Sequence, residues 1–446
     1  MDPMNKLSPL FAVCLLLALA GCKPRTPSGL VFPKTVENVR IDDPSQLASY
    51  PPCEPSIAVS PKNPDIVVAG AILDYVWHSK DGGKTWEGGR LESEYGVFGD
   101  PALFADKEGN FYYLHLSDPE KGGWSSDALL DRIVIQKSTD GGETWSNGTF
   151  TGLRAPKDQD KHWMAIDPNN NHLYVTWTEF DKYGSPSEEH KSRILFSAST
   201  DGGDTWSDAI SISQFEGDCI DDDDTPEGAV PAVGPNGEVY VAWSFDDKIW
   251  FDVSKDGGKT WLDEDIVLAD QPGGWTITIP GINRCNGMPV TGVDLSGGAH
   301  HGTIYVNWAD QRNGEKDTDI WVASSTDGGM NWSDPVRVND DKPGKQQFLT
   351  WMSVDPVTGY VYTVFYDRRD QDGVYTEVYL AYSTDGGKTF TNKCISEEPF
   401  KPTSMVFFGD YNNISAYNGV VRPIWTRMDK GKLSIWTALL NFAGGK

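Results

Sequence analysis

The sequence predicts an all-β chain folded as a β-propeller, and three observations predict it. An Asp-Gly-Gly octapeptide recurs six times along the chain. The segments around each copy alternate apolar and polar residues with no sustained helical period. The composition, with 46 Gly and 12% aromatics including 17 Trp in 446 residues, suits many tight turns and broad aromatic packing between sheets.

The octapeptides read Ser79-Lys-Asp81-Gly-Gly-Lys-Thr-Trp86, Ser138-Thr-Asp140-Gly-Gly-Glu-Thr-Trp145 and Ser199-Thr-Asp201-Gly-Gly-Asp-Thr-Trp206. The remaining three are Ser254-Lys-Asp256-Gly-Gly-Lys-Thr-Trp261, Ser325-Thr-Asp327-Gly-Gly-Met-Asn-Trp332 and Ser383-Thr-Asp385-Gly-Gly-Lys-Thr-Phe390. Their starts lie 55–71 residues apart, a period that accommodates a four-stranded blade with generous loops. The Asp accepts N–H groups from the residues ahead of it, the glycines supply positive φ, and the aromatic ring opens the next strand. The motif is therefore a hairpin between two outer strands, a structural device rather than a catalytic one.

The strands follow in order within each unit. An inner strand comes first, as in Ser56-Ile-Ala-Val-Ser-Pro61, Trp163-Met-Ala-Ile-Asp-Pro168 and Trp351-Met-Ser-Val-Asp-Pro356. An apolar second strand follows, as in Leu173-Tyr-Val-Thr-Trp177, Val239-Tyr-Val-Ala-Trp243 and Ile304-Tyr-Val-Asn-Trp308. A third strand such as Glu377-Val-Tyr-Leu-Ala-Tyr leads into the octapeptide. Six complete units run from Glu54 to Cys394. The C-terminal stretch keeps three strands (from Asp410, Val421 and Leu433) and lacks the outer one, while Lys34–Ile41 is a strand without a unit. Joining them closes a seventh blade and removes the free sheet edges. Seven blades are expected, with six if the termini stay apart.

Residues 1–21 read as a lipoprotein signal peptide: Lys6, the apolar run from Leu10 to Ala20, then Leu19-Ala20-Gly21-Cys22. Cys22 is the expected lipidation site, residues 22–30 a tether and 31–446 a single propeller domain. Lys23 follows the Cys where an Asp would retain such a protein at the inner membrane. A bacterial cell-envelope location (outer membrane or cell surface) is expected, with the membrane met only through the lipid. The net charge of −27 disfavours nucleic acid and anionic headgroups as partners. A monomer is expected. Export makes disulfides the default for the four remaining cysteines, and Cys219 with Cys285 is the expected pair because both lie in long connections.

Strand polarity puts the octapeptide turns on one face and gathers the outer-to-inner and second-to-third connections on the other, over the axis. Ligand chemistry belongs there. Inner strands begin with Glu54, Asp100, Asp160-Lys161-His162 and Asp410-Tyr411. Second strands end near Asp118, Glu179 with Asp181, Asp310 with Arg312, Asp367-Arg368-Arg369-Asp370, and Arg427 with Asp429. Asp100, Asp160, Glu179 and Asp410 are candidate acids and bases, because carboxylates in unlike environments divide those roles. Arg312, Arg369 and Arg427 follow the second strands of consecutive blades and are candidates to grip a carboxylate or sulfate; Lys161, His162, Asp310, Asp367 and Arg368 complete the candidate substrate-binding set. Each such residue also has a structural alternative, as a turn cap or neighbour pair, and His162 beside Trp163 as packing.

No cofactor is expected. The run Gly217-Asp-Cys-Ile-Asp-Asp-Asp-Asp224 matches no EF-hand spacing and reads first as a solvated loop, with a structural Ca²⁺ held by its carboxylates as the alternative. No Cys-x-x-Cys pair suggests zinc.

On its octapeptides the chain resembles the Asp-box (bacterial neuraminidase repeat) proteins and, through them, the sialidase-like propellers. The resemblance covers residues 54–390. It implies glycan chemistry: an arginine triad on the substrate carboxylate, a Tyr nucleophile with a carboxylate partner, for which Tyr411 is the candidate, and an Asp acid/base. The Arg-Ile-Pro of sialidases is replaced by Glu54-Pro-Ser. The function expected is an exported, lipid-anchored, sialidase-like exo-acting glycoside hydrolase with a carbohydrate substrate. A non-catalytic glycan- or protein-binding propeller and a polysaccharide lyase are the alternatives.

Overall fold

The computed structural model describes residues 31–45 and 50–442. The signal segment, the tether and Cys22 lie outside the described residues. The described chain forms seven four-stranded antiparallel sheets, six of them built from consecutive strands. Blades 1 to 6 span 56–90, 102–151, 158–211, 227–270, 290–337 and 347–394. Blade 7 joins Asn413–Tyr417, Val420–Asp429 and Lys432–Asn441 with Glu37–Arg40 as its outer strand. Glu37 faces Leu439 and Arg40 faces Trp436 in that last pairing. The inner strand of each blade packs against that of the next, and Ser56–Val59 meets Asn413–Tyr417, so the sheets encircle an axis.

The second strands carry the packing between blades. Trp177, Trp243, Trp308 and Trp425 recur near their upper ends and are fully buried. Removing one such ring is worth about 3–5 kcal/mol.

The octapeptide turns behave as the residue types dictate. In the first, Ser79 Oγ donates to Asp81 Oδ1 at 2.8 Å and accepts the Gly83 N–H at 2.8 Å. Thr85 Oγ1 donates to Asp81 Oδ2 at 2.7 Å, and the Trp86 indole N–H reaches Gly83 O at 2.9 Å. Gly82 and Gly83 sit at φ 76° and 94°, which a side chain would strain. In the fourth turn the N–H and hydroxyl of Thr260 hold the Asp256 carboxyl down at about 2. These carboxylates are permanent anions that pin a turn.

The expected Cys219–Cys285 disulfide is absent: Cys53, Cys219, Cys285 and Cys394 are all free. Cys219 pairs by its backbone with Ser185 at the edge of blade 3. Cys285 turns into the core from a short hairpin in which Thr276 faces Asn286. The two connections do meet, but through Asp221 and Asp223 with Arg284 and the Thr276 N–H rather than through the cysteines.

Hydrogen bonds at Ile41 and Asp42 extend the Glu37–Arg40 ladder. Ile41 N–H donates to Ile435 O at 2.8 Å, and the Ile435 N–H donates to Asp42 Oδ1 at 2.6 Å. Arg40 closes on the other Asp42 oxygen at 2.6 Å. Asp42→Ala should therefore cost about 1–3 kcal/mol of stability, read as a lower urea midpoint; an unchanged midpoint would show that this junction does not hold the ring.

Candidate functional site

Several inner strands begin with a kink. Glu54, Asp100, Lys161 and Leu349 adopt positive φ (52°, 50°, 52° and 47°), and Gly228 does so at 71°. Strand register slips at the same level between Asp160 and Trp163, Glu227 and Val230, and Phe348 and Trp351. A non-glycine residue held there costs about 1–3 kcal/mol, and such strain gathers at functional sites. A bulge also re-aims side chains.

Glu54, Asp100 and Lys161 line a cavity of about 290 Å³ together with Asp160, Tyr183 and Arg284. Leu73, Phe98, Trp124 and Phe407 supply apolar wall.

A chain of charges runs through this site. The Lys161 Nζ lies 3.2 Å from Asp410 Oδ2 and 3.5 Å from Asp100 Oδ2. Arg284 grips Asp410 with two nitrogens, Nε at 2.9 Å from Oδ1 and Nη2 on Oδ2. Its Nη1 reaches Asp221 Oδ2 at 3.0 Å, and the Tyr183 hydroxyl donates to that oxygen at 2.7 Å. The Asp410 N–H donates to Glu54 Oε1 at 3.0 Å.

Burial and charge then separate the carboxyls. Burial opposes ionisation of Asp410, yet Lys161 and Arg284 outweigh it and hold the group below its usual range. Glu54 goes the other way: burial pushes it well up, and the charges of Asp100 and Asp410 add to that. Asp160, 6% exposed, is pushed up to about 7, mainly by burial, with Asp100 and Asp221 adding and Lys161 opposing. Lys161 stays charged despite burial because Asp100, Asp160 and Asp410 surround it. The site thus holds a carboxyl poised near neutrality beside carboxylates paired to cations, an arrangement suited to acid–base work.

The structure brings Asp100, Asp160, Lys161 and Asp410 together and disperses the other candidates. Glu179 is buried under Arg193 (2.7 Å), Lys157 (3.1 Å) and Arg154 (3.2 Å) on blade 3. Tyr411 is buried in the core against Trp163 and Trp351, and its hydroxyl has no hydrogen-bond partner. Burial lowers the His162 ring to about 4, so it is neutral. Arg312, Arg369 and Arg427 each fold back on a carboxylate two residues away, Asp310, Asp367 and Asp429 respectively. Arg368 donates to Pro280 O at 2.8 Å and Thr376 Oγ1 at 3.0 Å. No member of that second-strand group lines the central cavity.

Sequence reasoning missed Arg284, Asp221, Tyr183 and Trp124. Arg284 lies in connection 271–289, within the longest interval between octapeptides, and that length was the available signal. Asp221 belongs to the acidic run read as a solvated loop, with a cation site as the alternative; in the structure it meets Arg284 and Tyr183. Among the described residues no group of three or more His, Cys, Asp or Glu is placed to hold a metal ion.

No family model matches the chain. It is 35% identical to a sialidase of Bacteroides fragilis over 88 residues, 15% of this chain and 16% of that protein. It is 28% identical to the Photosystem II assembly lipoprotein Ycf48 of Picosynechococcus over 166 residues, 33% of this chain and 48% of that protein. The chain spans less than half the length of either curated relative. Among solved structures, a PL25 ulvan lyase bound to -[GlcA(1-4)Rha3S]- superposes with a TM-score of 0.53 at 14% identity, over 91% of this chain and 96% of that one. The NanB sialidase of Streptococcus pneumoniae gives 0.50 at 9% identity, over 84% and 83%. These likenesses show the fold alone, a β-propeller.

The Asp160 environment has a consequence for stability. Its ordinary value is 3.8 and its folded value is about 7, so the folded chain keeps a proton that the unfolded chain releases. The contribution of this group to stability falls as pH rises through that window and is flat above it. Asp160→Asn, facing the same Lys161, Asp100 and Asp221, should lessen the fall. Urea midpoints compared at about pH 4.5 and 7.5 test this; an unchanged pH slope in the variant would sink it.

Proposed function

We propose that this chain is a glycan-cleaving enzyme, an exo-acting glycoside hydrolase on a sialidase-like propeller, exported and anchored to the bacterial cell envelope through a lipid on Cys22. The observation that carries the catalytic reading is the pairing of Asp160, buried and poised near neutrality, with Asp100 in one cavity. Asp160 donates its proton to the glycosidic oxygen as the bond to the anomeric carbon breaks, and the leaving sugar departs as an alcohol. Asp100, beside the Lys161 ammonium, is the base that activates water or the nucleophile at that carbon. Lys161 and Arg284 keep Asp410 ionised and hold the site in register.

The charge pattern sets the substrate class. Both cavity cations are already paired with carboxylates, and Arg312, Arg369 and Arg427 are occupied elsewhere. A sugar carboxylate would meet no free guanidinium and several acidic neighbours. The reading therefore favours a glycan end without a carboxylate over a sialic acid.

The test is turnover of aryl glycosides of neutral hexoses and N-acetylhexosamines beside an aryl sialoside and uronate polymers. Hydrolysis of a neutral aryl glycoside is expected, and Asp160→Asn should lower kcat about 10²–10⁴-fold. Unsaturated uronate products would establish a lyase instead, and glycan binding without turnover would establish a binding protein. For the anchor, Cys22→Ser should move the protein from the membrane fraction to the soluble fraction; retention in the membrane would refute the lipid attachment.

A further inference from the structure

The connection 117–132 in blade 2 rises to the rim of the cavity and carries Trp124 on one 3₁₀ turn, Gly123–Ser125. Asp118 fixes that turn: its two carboxylate oxygens accept the N–H groups of Gly122 (3.1 Å) and Gly123 (3.0 Å). The indole stacks on Tyr183 at 5.7 Å between centroids and meets Phe98 edge-on at 5.9 Å. It is nevertheless 70% exposed. A large ring held this firmly, with so much of its surface in water, is a platform rather than a packing residue.

What lies beside it gives the platform a use. A cleft of about 990 Å³ opens between blades 1 and 2, lined in part by Lys121, Gly122 and Gly123 of the same connection. Leu73 and Phe98 line both this cleft and the central cavity. The two spaces therefore lie side by side across Leu73 and Phe98, with Trp124 on the wall of the central cavity. The cavity, at about 290 Å³, is small beside the cleft.

The cleft is acidic and polar. It exposes Glu92 and Glu94 against one exposed cation, Lys121, and holds Asp118, while its Arg90 is tied to Asp74 and lies over the Tyr75 ring at 4.4 Å. Such a lining repels a polyanion and offers hydrogen-bond partners to hydroxyls.

We propose that the cleft between blades 1 and 2 is a set of further sugar subsites for an uncharged glycan chain, with Trp124 stacking the sugar next to the one held in the central cavity. The proposal rests on the glycan-cleaving reading and adds to it: the substrate is an oligosaccharide or polysaccharide whose leaving portion runs outward over blade 2.

Isothermal titration of the full chain with cello-, xylo-, manno- and laminari-oligosaccharides of one to six sugars tests it, with hydrolysis of the neutral aryl glycosides measured in parallel. Affinity for at least one series should rise with length through about four sugars. Trp124→Ala should weaken the longest member of that series about tenfold. The double variant Glu92→Ala/Glu94→Ala should weaken it severalfold and leave the monosaccharide unchanged; circular dichroism confirms that both variants fold. Affinity independent of length, wild-type affinity in Trp124→Ala, tighter binding of oligouronates, or no binding in any series would each overturn the subsites. Length-independent binding with turnover removes the cleft and keeps the hydrolase. Length-dependent binding without turnover removes the hydrolase and keeps the cleft.

Discussion

The geometry of the site depends on one buried carboxylate. Asp410 enters from the segment leading into blade 7, and it is held by Lys161 from blade 3 and Arg284 from the connection between blades 4 and 5. Its amide reaches back to Glu54, ahead of blade 1. Parts of the ring far apart in sequence are thus fastened at one point over the axis. Burying this many charges is costly, and the cost is offset only when each partner is well placed. Glu54 and Asp160 respond by favouring their neutral forms, whereas Asp410 has the opposite charges that keep it ionised.

The ring in turn allows the clustering. Strand order sends every octapeptide turn to one face, where its Asp is bound up by a Ser hydroxyl and, one turn on, by Thr or Asn. The inner strands start at the opposite face, and closure through Glu37–Arg40 brings the first and last of them together. Of the positive-φ residues there, Glu54, Asp100 and Lys161 each give up backbone preference and line the central cavity. The Glu37–Arg40 strand and the Asp410 clamp are therefore coupled through geometry, although they touch different strands of blade 7.

Much of the fold was legible because its signals are local. A turn that needs Asp, two glycines and an aromatic repeats those residues wherever it occurs, and the orphan strand at 34–41 matched a blade missing its outer strand. The site was legible only where it lay on the same repeating frame. Asp100, Asp160, Lys161 and Asp410 begin inner strands, so strand polarity alone placed them. Arg284 and Asp221 come from irregular connections whose path depends on tertiary contacts, and no period announces them. Arg312, Arg369 and Arg427 show the converse error. Their placement at strand ends was sound, but each lies two residues from its own carboxylate and closes on it, a short-range pairing that strand-level reasoning did not weigh.

The same charge accounting separates recognition from catalysis. A cation serves as an anchor for a substrate carboxylate only if its own partners leave a face free. Here Arg284 spends its Nε and Nη2 on Asp410 and its Nη1 on Asp221, and Lys161 lies between Asp410 and Asp100. Acid–base chemistry needs no such free cation; it needs a carboxyl whose proton is available near neutral pH, and burial supplies that at Asp160. Under the proposed hydrolase reading the cavity offers a proton donor while its cations are already paired, so specificity comes from shape and from apolar contact. The surfaces on offer for that are aromatic: Phe98 and Trp124 beside blade 2, and Phe407 from the segment leading into blade 7.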